Sequence, residues 1–189
     1  MTFVPRLNSL GMQNNPKWYS RNPFYQTDPD LGLPNCTCYA WGRFWEISDP
    51  NNAYINRPNL SLSNAEDWWF YTQDGYERGQ VPKLGATICF RNQYGYGVGH
   101  VATVEQIGAN GMIVTSNSYY GGSYFGLETL YPDANGKYHH MGSEYMYDSQ
   151  GFIYNPWAEQ PSPEPEITGT KKRKFPWPVA WSHWDNFKN

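Results

Sequence analysis

The chain has 189 residues, of which 18% are aromatic and only 16% are charged, and its formal net charge is -3. This length fits one domain, with or without an appendage. The aromatic content argues against a disordered chain, and the 18 Gly and 15 Pro residues argue against a coiled coil or helical bundle. The weakly acidic balance excludes the basic face typical of nucleic-acid-binding domains. What remains is a loop-rich globular domain that contains β-structure.

Two further classes of protein are excluded by local composition. No stretch has the eighteen or so consecutive apolar residues of a transmembrane helix. The first ten residues, MTFVPRLNSL, lack the apolar centre of a secretory signal, so we expect no signal peptide. The cysteines are Cys36, Cys38 and Cys89, an odd number, so at least one free thiol is expected.

The first half of the chain predicts turns followed by two helices. Residues 1–35 are rich in Asn-Pro and Asp-Pro steps, which favour turns. Apolar side chains at helical spacing then predict a helix from about Cys36 to Ile47. The segment 63–66, SNAE, has the pattern of a capping box and predicts a second helix that ends near Tyr71.

The second half predicts short antiparallel strands. Runs rich in β-branched residues occupy 86–91, 100–107 and 111–118, and a last strand lies in 151–156. An Asn-Gly turn at Asn110 joins the second and third runs, so residue i of that hairpin should pair with about residue 220 − i. Helices followed by antiparallel strands indicate an α+β fold.

The composition changes after residue 157, where we place a domain boundary. Residues 158–189 begin as a linker rich in Pro and Glu, EQPSPEPEITGT, and end as a basic and then aromatic tail. The tail is interrupted by prolines and is too short to fold alone. We expect its aromatic side chains to dock on protein, either on residues 1–157 or on a partner.

Cys36 has the sequence context of a nucleophile. It stands at the predicted start of a helix, where backbone N–H groups favour a thiolate over a thiol. A nucleophilic thiolate is partnered by a histidine, and His100 begins the strand 100–107 after a Gly-rich turn. Asn117 ends the next strand, where its side-chain oxygen can accept the ring N–H of His100. The alternative is that Cys36 is a small buried apolar residue.

The other cysteines and histidines have structural interpretations. Cys89 lies inside a predicted strand and is expected in the core, while Cys38 faces another side of the first helix. His139 and His140 lie in a polar segment, DANGKYHHMGS, and are expected to be solvated. His183 lies in the tail.

The segment LPNCTCYAWGRF resembles the signature of the CHAP family, the cysteine- and histidine-dependent amidohydrolase/peptidase domains that cut bacterial peptidoglycan. The resemblance continues in the family's order with PKLGATICF, GHVATVE, SNS and GFIYNP. It spans roughly residues 1–157. It implies a papain-like fold, in which N-terminal helices pack on a small antiparallel β-sheet.

The resemblance also implies roles for individual residues. Cys36 would be the nucleophile, His100 the general base and then acid, and Asn117 the residue that orients the imidazole. Many family members carry a Glu two positions before this Asn, where the present sequence has Thr115. The oxyanion would be held by the backbone N–H of Cys36 and by a side chain of the preceding loop, for which Asn35 is the candidate.

Tyrosines near the predicted site suit a glycan or peptide-stem ligand, because rings pack on sugar faces while hydroxyls bond to amides. Those closest in sequence to His100 or Asn117 are Tyr94, Tyr96, Tyr119 and Tyr120.

Calcium is the one metal to consider, because some CHAP domains bind it with acidic residues in the region before the cysteine. Asp28 and Asp30 are the candidates here. Pro29 separates them and no third carboxylate is close, so we expect an Asx-type turn and no cofactor.

We therefore predict a peptidoglycan hydrolase that cleaves an amide bond through a thioacyl enzyme. The bond would be N-acetylmuramoyl-L-alanine or one in the stem or cross-bridge. The expected setting is a phage lysin or tail component at the host cell wall, with the tail binding other phage proteins and no nucleic acid as partner. Two alternatives stay open: an idle wall-binding or structural module, and a cysteine protease acting on proteins.

Overall fold

The computed structural model of the chain describes residues 3–95, 97–142 and 146–160. Two α-helices come first within these ranges, α1 (Pro23–Thr27) and α2 (Cys36–Ser48). The strands that follow are β1 (Arg78–Gly79), β2 (Thr87–Asn92), β3 (His100–Ile107), β4 (Ile113–Asn117), β5 (Gly126–Leu130), β6 (His139–Met141) and β7 (Met146–Ile153). Short 3-10 helices lie at Pro29–Leu31, Ala65–Phe70, Thr72–Asp74 and Ala109–Gly111.

The strands form one sheet in the order β1-β7-β2-β3-β4-β5, and β6 pairs with the first half of β7. Every neighbouring pair in the described sheet is antiparallel. Helices that pack on an antiparallel sheet are the predicted α+β, papain-like arrangement, which the structure confirms.

The helix α2 begins and ends where side-chain chemistry favours it. The side chain of Asn35 accepts the N–H of Thr37, which satisfies one of the free donors of the first turn. At the other end the N–H of Asp49 bonds to the carbonyl of Trp45. The predicted bounds, 36–47, are therefore confirmed to within one residue at the C-terminal end.

The sheet is covered on both faces. Its α2-facing side chains include Cys89, Val101 and Ile153, which pack against Trp41 and Phe44 of α2. The opposite face carries a second cluster, formed by Ala86, Ile88, Phe90, Ala102, Val104, Ile113, Leu130, Tyr138, Phe152 and Tyr154. Cys36 belongs to the first cluster, and its helix lies on β3 and next to β4.

A buried ion pair joins α2 to β3. The guanidinium of Arg43 donates to both carboxylate oxygens of Glu105, from Nε at 2.9 Å and from Nη2 at 2.9 Å. The hydroxyl of Ser116 on β4 donates to the same carboxylate at 2.6 Å. Burial opposes the charge of Arg43, but the adjacent Glu105 carboxylate raises the pKa of Arg43 above its ordinary range.

The N-terminal segment is tied to this ion pair. The backbone N–H of Arg6 donates to Glu105 at 2.7 Å, and the carbonyl of Val4 accepts from Arg43 at 2.7 Å. The carboxylate of Glu46 lies between the guanidinium groups of Arg6 and Arg43. Burial opposes its charge, but the two cations lower the pKa of Glu46.

Glu105 lies on the α2 face of β3, beside a bulge in the strand. Ile107 pairs with Ile113 as the predicted hairpin register requires. Between Val104 and Gln106 the register shifts by one residue, and Glu105 is the extra residue. A bulge re-aims side chains locally, and here it accompanies a carboxylate directed to the α2 side of the sheet.

The second predicted helix is corrected by the structure. The segment is a 3-10 helix, Ala65–Phe70, and its capping residue Asn64 makes no side-chain hydrogen bond. The capping box does not form, because the N–H of Glu66 donates to the carbonyl of Val98 and its carboxylate lies 3.8 Å from Arg91.

Three strands lie outside the predicted runs, namely β1, β5 and β6, and β7 begins five residues earlier than predicted.

The expectation that His139 and His140 lie in a solvated loop is wrong, since both belong to β6. The ring of His139 contacts Asp148 at 2.8 Å and Asp133 at 3.3 Å. The hydrogen bond to Asp148 is the main reason that its pKa is raised.

The predicted boundary at residue 157 stays a prediction. Ala158 and Gln160 still contact the domain, where the side chain of Gln160 bonds to the backbone of Leu84. Residues 161–189, with His183, lie outside the described residues. Within the described ranges no helix has the length and apolar character needed to cross a membrane.

We expect Arg43→Met to lower the free energy of unfolding by about 3–5 kcal/mol, because it leaves the Glu105 carboxylate buried without its cation. Urea unfolding at pH 7 measures this change. The double variant Arg43→Met/Glu105→Leu should recover part of the loss, since it removes the unpaired charge.

The matched control is Lys83→Met, which breaks the exposed ion pair with Glu77 at 3.5 Å. That change should cost less than about 1 kcal/mol. Equal losses in Arg43→Met and Lys83→Met would contradict a structural role for the buried pair.

Candidate active site

Cys36 is the first residue of α2, and its thiol lies at the edge of the sheet. The backbone N–H groups of Val101, Thr37 and Cys36 lie near enough to the sulfur to favour the thiolate. The side chain is 7% exposed, and burial raises the pKa of the thiol to about 11, although those N–H groups partly oppose the increase. The expectation of a stable thiolate is thus corrected: burial outweighs the helix terminus.

His100 is the first residue of β3, opposite Phe90 of β2. The residue is 6% exposed, and its Nε2 is buried with no hydrogen-bond partner among the described residues. Burial is the main reason that the pKa of His100 lies well below its ordinary range, and the neighbouring charge of His140 lowers it further.

Cys36 lies near the residue that follows His100 in the chain. The backbone N–H of Val101 partly opposes the effect of burial on the pKa of the thiol, and Nε2 of His100 makes no hydrogen bond to the sulfur. Because the pKa of the thiol is raised and that of the imidazole is lowered, both groups are neutral near pH 7. Such a pair transfers its proton during attack on a substrate, without a preformed thiolate.

Asn117 ends β4 on the same face as His100. Thr103 pairs with Ser116, so one step further Asn117 lies opposite Ala102, two residues from His100. Its amide oxygen and nitrogen are buried and have no hydrogen-bond partner in the described part of the chain. Burial and the charge of Glu128 raise the pKa of the Tyr119 hydroxyl, and the nearby Asn117 amide partly opposes this increase without meeting hydrogen-bond geometry.

The predicted hydrogen bond between Asn117 and His100 is therefore not formed in the structure. Both side chains nevertheless keep unsatisfied polar atoms in a buried place, which is costly unless another group satisfies them. The placement of Asn117 agrees with an orienting role, and that role stays a prediction.

Asn35 has another task than the predicted one. Its side-chain oxygen accepts from the N–H and hydroxyl of Thr37, and its amide nitrogen donates to the carbonyl of Leu31. These bonds fix the start of α2 and engage both ends of the side chain. Asn35 is therefore a capping residue in the structure, and its role as an oxyanion donor beside the backbone N–H of Cys36 stays a prediction.

His140 is a site residue that sequence reasoning missed. It is 3% exposed, and its ring stacks on His100 with centroids 4.2 Å apart and an interplanar angle of 14°. Its Nδ1 lies 2.7 Å from the carboxylate of Glu128 on β5. Glu128 in turn is the direct cross-strand neighbour of Thr115. A carboxylate and a second imidazole thus stand behind His100.

A sequence signal for His140 existed. Tyr138 and His140 are buried while His139 between them is only partly covered, which is the period of two of a strand. The segment DANG before them marks a turn. The two histidines are polar, so the alternation of buried and exposed positions in β6 does not show as an alternation of apolar and polar residues.

The predicted tyrosines divide into two groups. Tyr119 is partly buried and stacks on His100, with ring centroids 5.6 Å apart. Tyr94 and Tyr120 are 66% and 72% exposed and are free to meet a ligand. Tyr96 lies outside the described residues.

Asp28 and Asp30 form the expected Asx-type turn, in which the side chain of Asp28 accepts the N–H of Asp30 at 3.0 Å. Among the described residues no three His, Cys, Asp or Glu side chains come together as metal ligands. The two carboxylates therefore do not fit calcium, and the absence of a cofactor stays a prediction.

The remaining cysteines are structural. The sulfur of Cys38 lies 3.5 Å from the carbonyl of Trp18, and Cys89 is buried in the sheet. Burial raises the pKa of both thiols, that of Cys38 to about 12. All three cysteines are free.

The sequence profile of the CHAP domain matches residues 24–118. The chain belongs to the CHAP domain family. The matched region contains Cys36, His100 and Asn117 but neither Glu128 nor His140.

Comparison with known proteins gives two further results. No curated protein sequence matches the chain. Among solved structures, it is similar to an N-acetylmuramoyl-L-alanine amidase from Staphylococcus aureus, with 24% sequence identity and a TM-score of 0.40. The similarity covers 60% of this chain and 30% of that amidase chain.

We expect the alkylation rate of Cys36 by iodoacetamide to rise about tenfold per pH unit between pH 7 and 10, because the thiolate is the reactive form and the thiol is neutral there. Peptide mass spectrometry after timed quenching assigns the modified cysteine. Cys38 and Cys89 serve as internal controls and should react more slowly. A Cys36 rate that is constant above pH 6 would show a preformed thiolate and contradict the neutral pair.

Proposed function

We propose that this CHAP domain is a peptidoglycan hydrolase that cleaves an amide bond through a thioester on Cys36. The observation that carries the proposal is the placement of the Cys36 thiol, at the start of α2, against the peptide bond that follows His100. A thiol nucleophile and an imidazole base held close together are the essential parts of a cysteine hydrolase.

The first half of the reaction forms the acyl enzyme. As the sulfur of Cys36 attacks the scissile carbonyl, neutral His100 takes the thiol proton. The oxyanion accepts a hydrogen bond from the backbone N–H of Cys36, which is a free donor at the start of α2. The C–N bond then breaks, and His100 returns the proton to the leaving amine.

The second half releases the acid product. A water molecule attacks the thioester carbonyl while His100 takes one of its protons. The C–S bond breaks, the sulfur leaves as a thiolate, and the proton on His100 returns it to the thiol. Burial of Cys36 and His100 favours this cycle, because both side chains are uncharged before the reaction starts and after it ends.

Asn117 is proposed to orient His100 by accepting its ring N–H. This bond needs a shift of side chains from the present structure, in which both groups lack a partner. Formation of the imidazolium strengthens a hydrogen bond to a carbonyl-type oxygen, so the bond would matter most while His100 holds the proton.

The tyrosines around the site support a wall-polymer substrate. Tyr94, Tyr120 and Tyr124 are more than half exposed, and Tyr120 and Tyr124 flank a Gly-Gly turn after β4. Such rings suit sugar faces and stem-peptide amides. The scissile bond that we propose is N-acetylmuramoyl-L-alanine or an amide of the stem or cross-bridge.

The setting that we propose is a phage lysin or phage tail component that acts on the host wall. Residues 158–189, which are first rich in Pro and Glu and then basic and aromatic, are the proposed region for binding other phage proteins. Deletion of that segment should leave the cleaved bond unchanged.

The test is digestion of purified bacterial cell wall followed by mass spectrometry of the soluble fragments. Wild-type protein should release new amino groups from one type of amide bond. Cys36→Ala and His100→Ala should each lower the rate by at least about a thousandfold, because they remove the nucleophile and the base.

Cys38→Ala is the matched control, since it changes a buried cysteine two residues away on the same helix and should keep most of the activity. Binding of wall without any cleavage would favour the idle module, and cleavage of casein but not of wall would favour a protease acting on proteins. Either outcome contradicts the proposed hydrolase.

A further inference from the structure

His100 lies in a stack of rings whose members come from separate elements. Its ring is 4.2 Å from that of His140 on β6 and 5.6 Å from that of Tyr119 after β4, with interplanar angles of 14° and 10°. Phe90 of β2 lies beside both imidazoles, at 6.1 Å and 5.6 Å. Rotation of the His100 ring is therefore limited by ring faces and not by a hydrogen bond.

The stack is anchored by one carboxylate. Glu128 on β5 holds the ring of His140 through Nδ1 at 2.7 Å, and the side chain of Glu128 is 24% exposed while that of His140 is 3% exposed. Glu128 stands directly across from Thr115 and two positions from Gly126, the partner of Asn117. A negative charge thus sits one ring behind His100 at the end of the sheet that carries the proposed site.

We propose that Glu128 and His140 act as a positioning pair for His100, in which the carboxylate fixes His140 and the face of His140 fixes the imidazole that works as base and acid. This inference rests on the proposed function, because it assigns the pair a task only if His100 carries the proton of the reaction. It also gives the site a carboxylate although position 115 is a threonine.

The electrostatic effect of the pair on His100 does not depend on whether His140 or Glu128 holds the proton that they share. If His140 is protonated, it and ionised Glu128 are together neutral; if His140 is neutral, the pair carries a negative charge. In neither case does a net positive charge stand next to His100 when it becomes an imidazolium. Without Glu128, a protonated His140 would repel that imidazolium at a ring separation of 4.2 Å.

Several other titratable side chains lie on the elements around His100. Glu66 and Arg91 lie 3.8 Å from each other and form their own pair. Arg43, Glu46 and Glu105 form the buried cluster between α2 and β3, and His139 bonds to Asp148. Among the described residues, the charge of His140 adds to the effect of burial on the pKa of His100.

The experiment compares Glu128→Gln and His140→Phe with the wild-type full chain. Glu128→Gln keeps the size and a hydrogen-bond acceptor but removes the charge, and His140→Phe keeps a flat ring but breaks the bond to Glu128. Each should lower kcat on cell wall by about tenfold or more with little change in KM, because Glu128→Gln removes the charge that stabilises the imidazolium and His140→Phe frees the His100 ring from its anchor on Glu128.

A second readout, the NMR titration of the His100 ring in ¹⁵N-histidine-labelled protein, separates positioning from general loss of structure. Glu128→Gln removes a negative charge and should lower the pKa of His100 further. His140→Phe removes the ring whose charge repels the imidazolium and should raise that pKa towards its ordinary value. His139→Gln is the matched control, because His139 is the next residue on β6 and bonds to Asp148 instead.

The two claims fail in different ways. If wild-type protein cleaves wall but Glu128→Gln and His140→Phe keep its kcat and its His100 titration, the positioning pair is refuted while the hydrolase stands. If wild-type protein cleaves no wall substrate, the hydrolase is refuted, and opposite shifts of the His100 titration in the two variants would still support the coupling of Glu128, His140 and His100.

Discussion

The buried contact between Arg43 and Glu105 is the constraint on which the site depends. It joins the helix that begins at Cys36 to the strand that begins at His100, and Ser116 extends it to β4. A buried carboxylate needs a cation and several donors to offset the loss of water, so this contact tolerates few alternative arrangements. Helix and strand are thereby held in one register, and the thiol meets the peptide bond that follows His100.

Burial determines the chemistry that this register allows. It raises the pKa of the thiol and lowers that of the imidazole, so the resting pair is uncharged. In the proposed reaction the proton moves from the thiol to the imidazole as substrate is attacked. The helix N-terminus contributes N–H donors to the sulfur, but it does not overcome desolvation. In the proposed reaction His100 becomes positively charged. His140 stacks on its ring and is bonded to Glu128, so both groups are close enough to interact with that charge.

Local patterns predicted what local forces determine. The start of α2 followed from apolar side chains at helical spacing, and the hairpin of β3 and β4 followed from the turn at Asn110. The resemblance to the CHAP family predicted Cys36 and His100 as the reacting pair. The contact between His140 and Glu128 could not be predicted, because it joins β5, at one end of the strand order, to β6, which pairs with β7 near the other end. The missing bond between Asn117 and His100 depends on ring packing around Tyr119, which no spacing of residues encodes.

The central claim is that Cys36 becomes acylated when the domain cleaves an amide of the cell wall. The most direct measurement is peptide mass spectrometry of protein quenched in acid during its first turnover with a soluble muropeptide. We expect a mass increase on the peptide that contains Cys36, equal to the mass of the acyl half of the substrate, and no such increase in Cys36→Ala. Cleavage of the muropeptide by Cys36→Ala at the wild-type rate, or an adduct on Cys38, would contradict it.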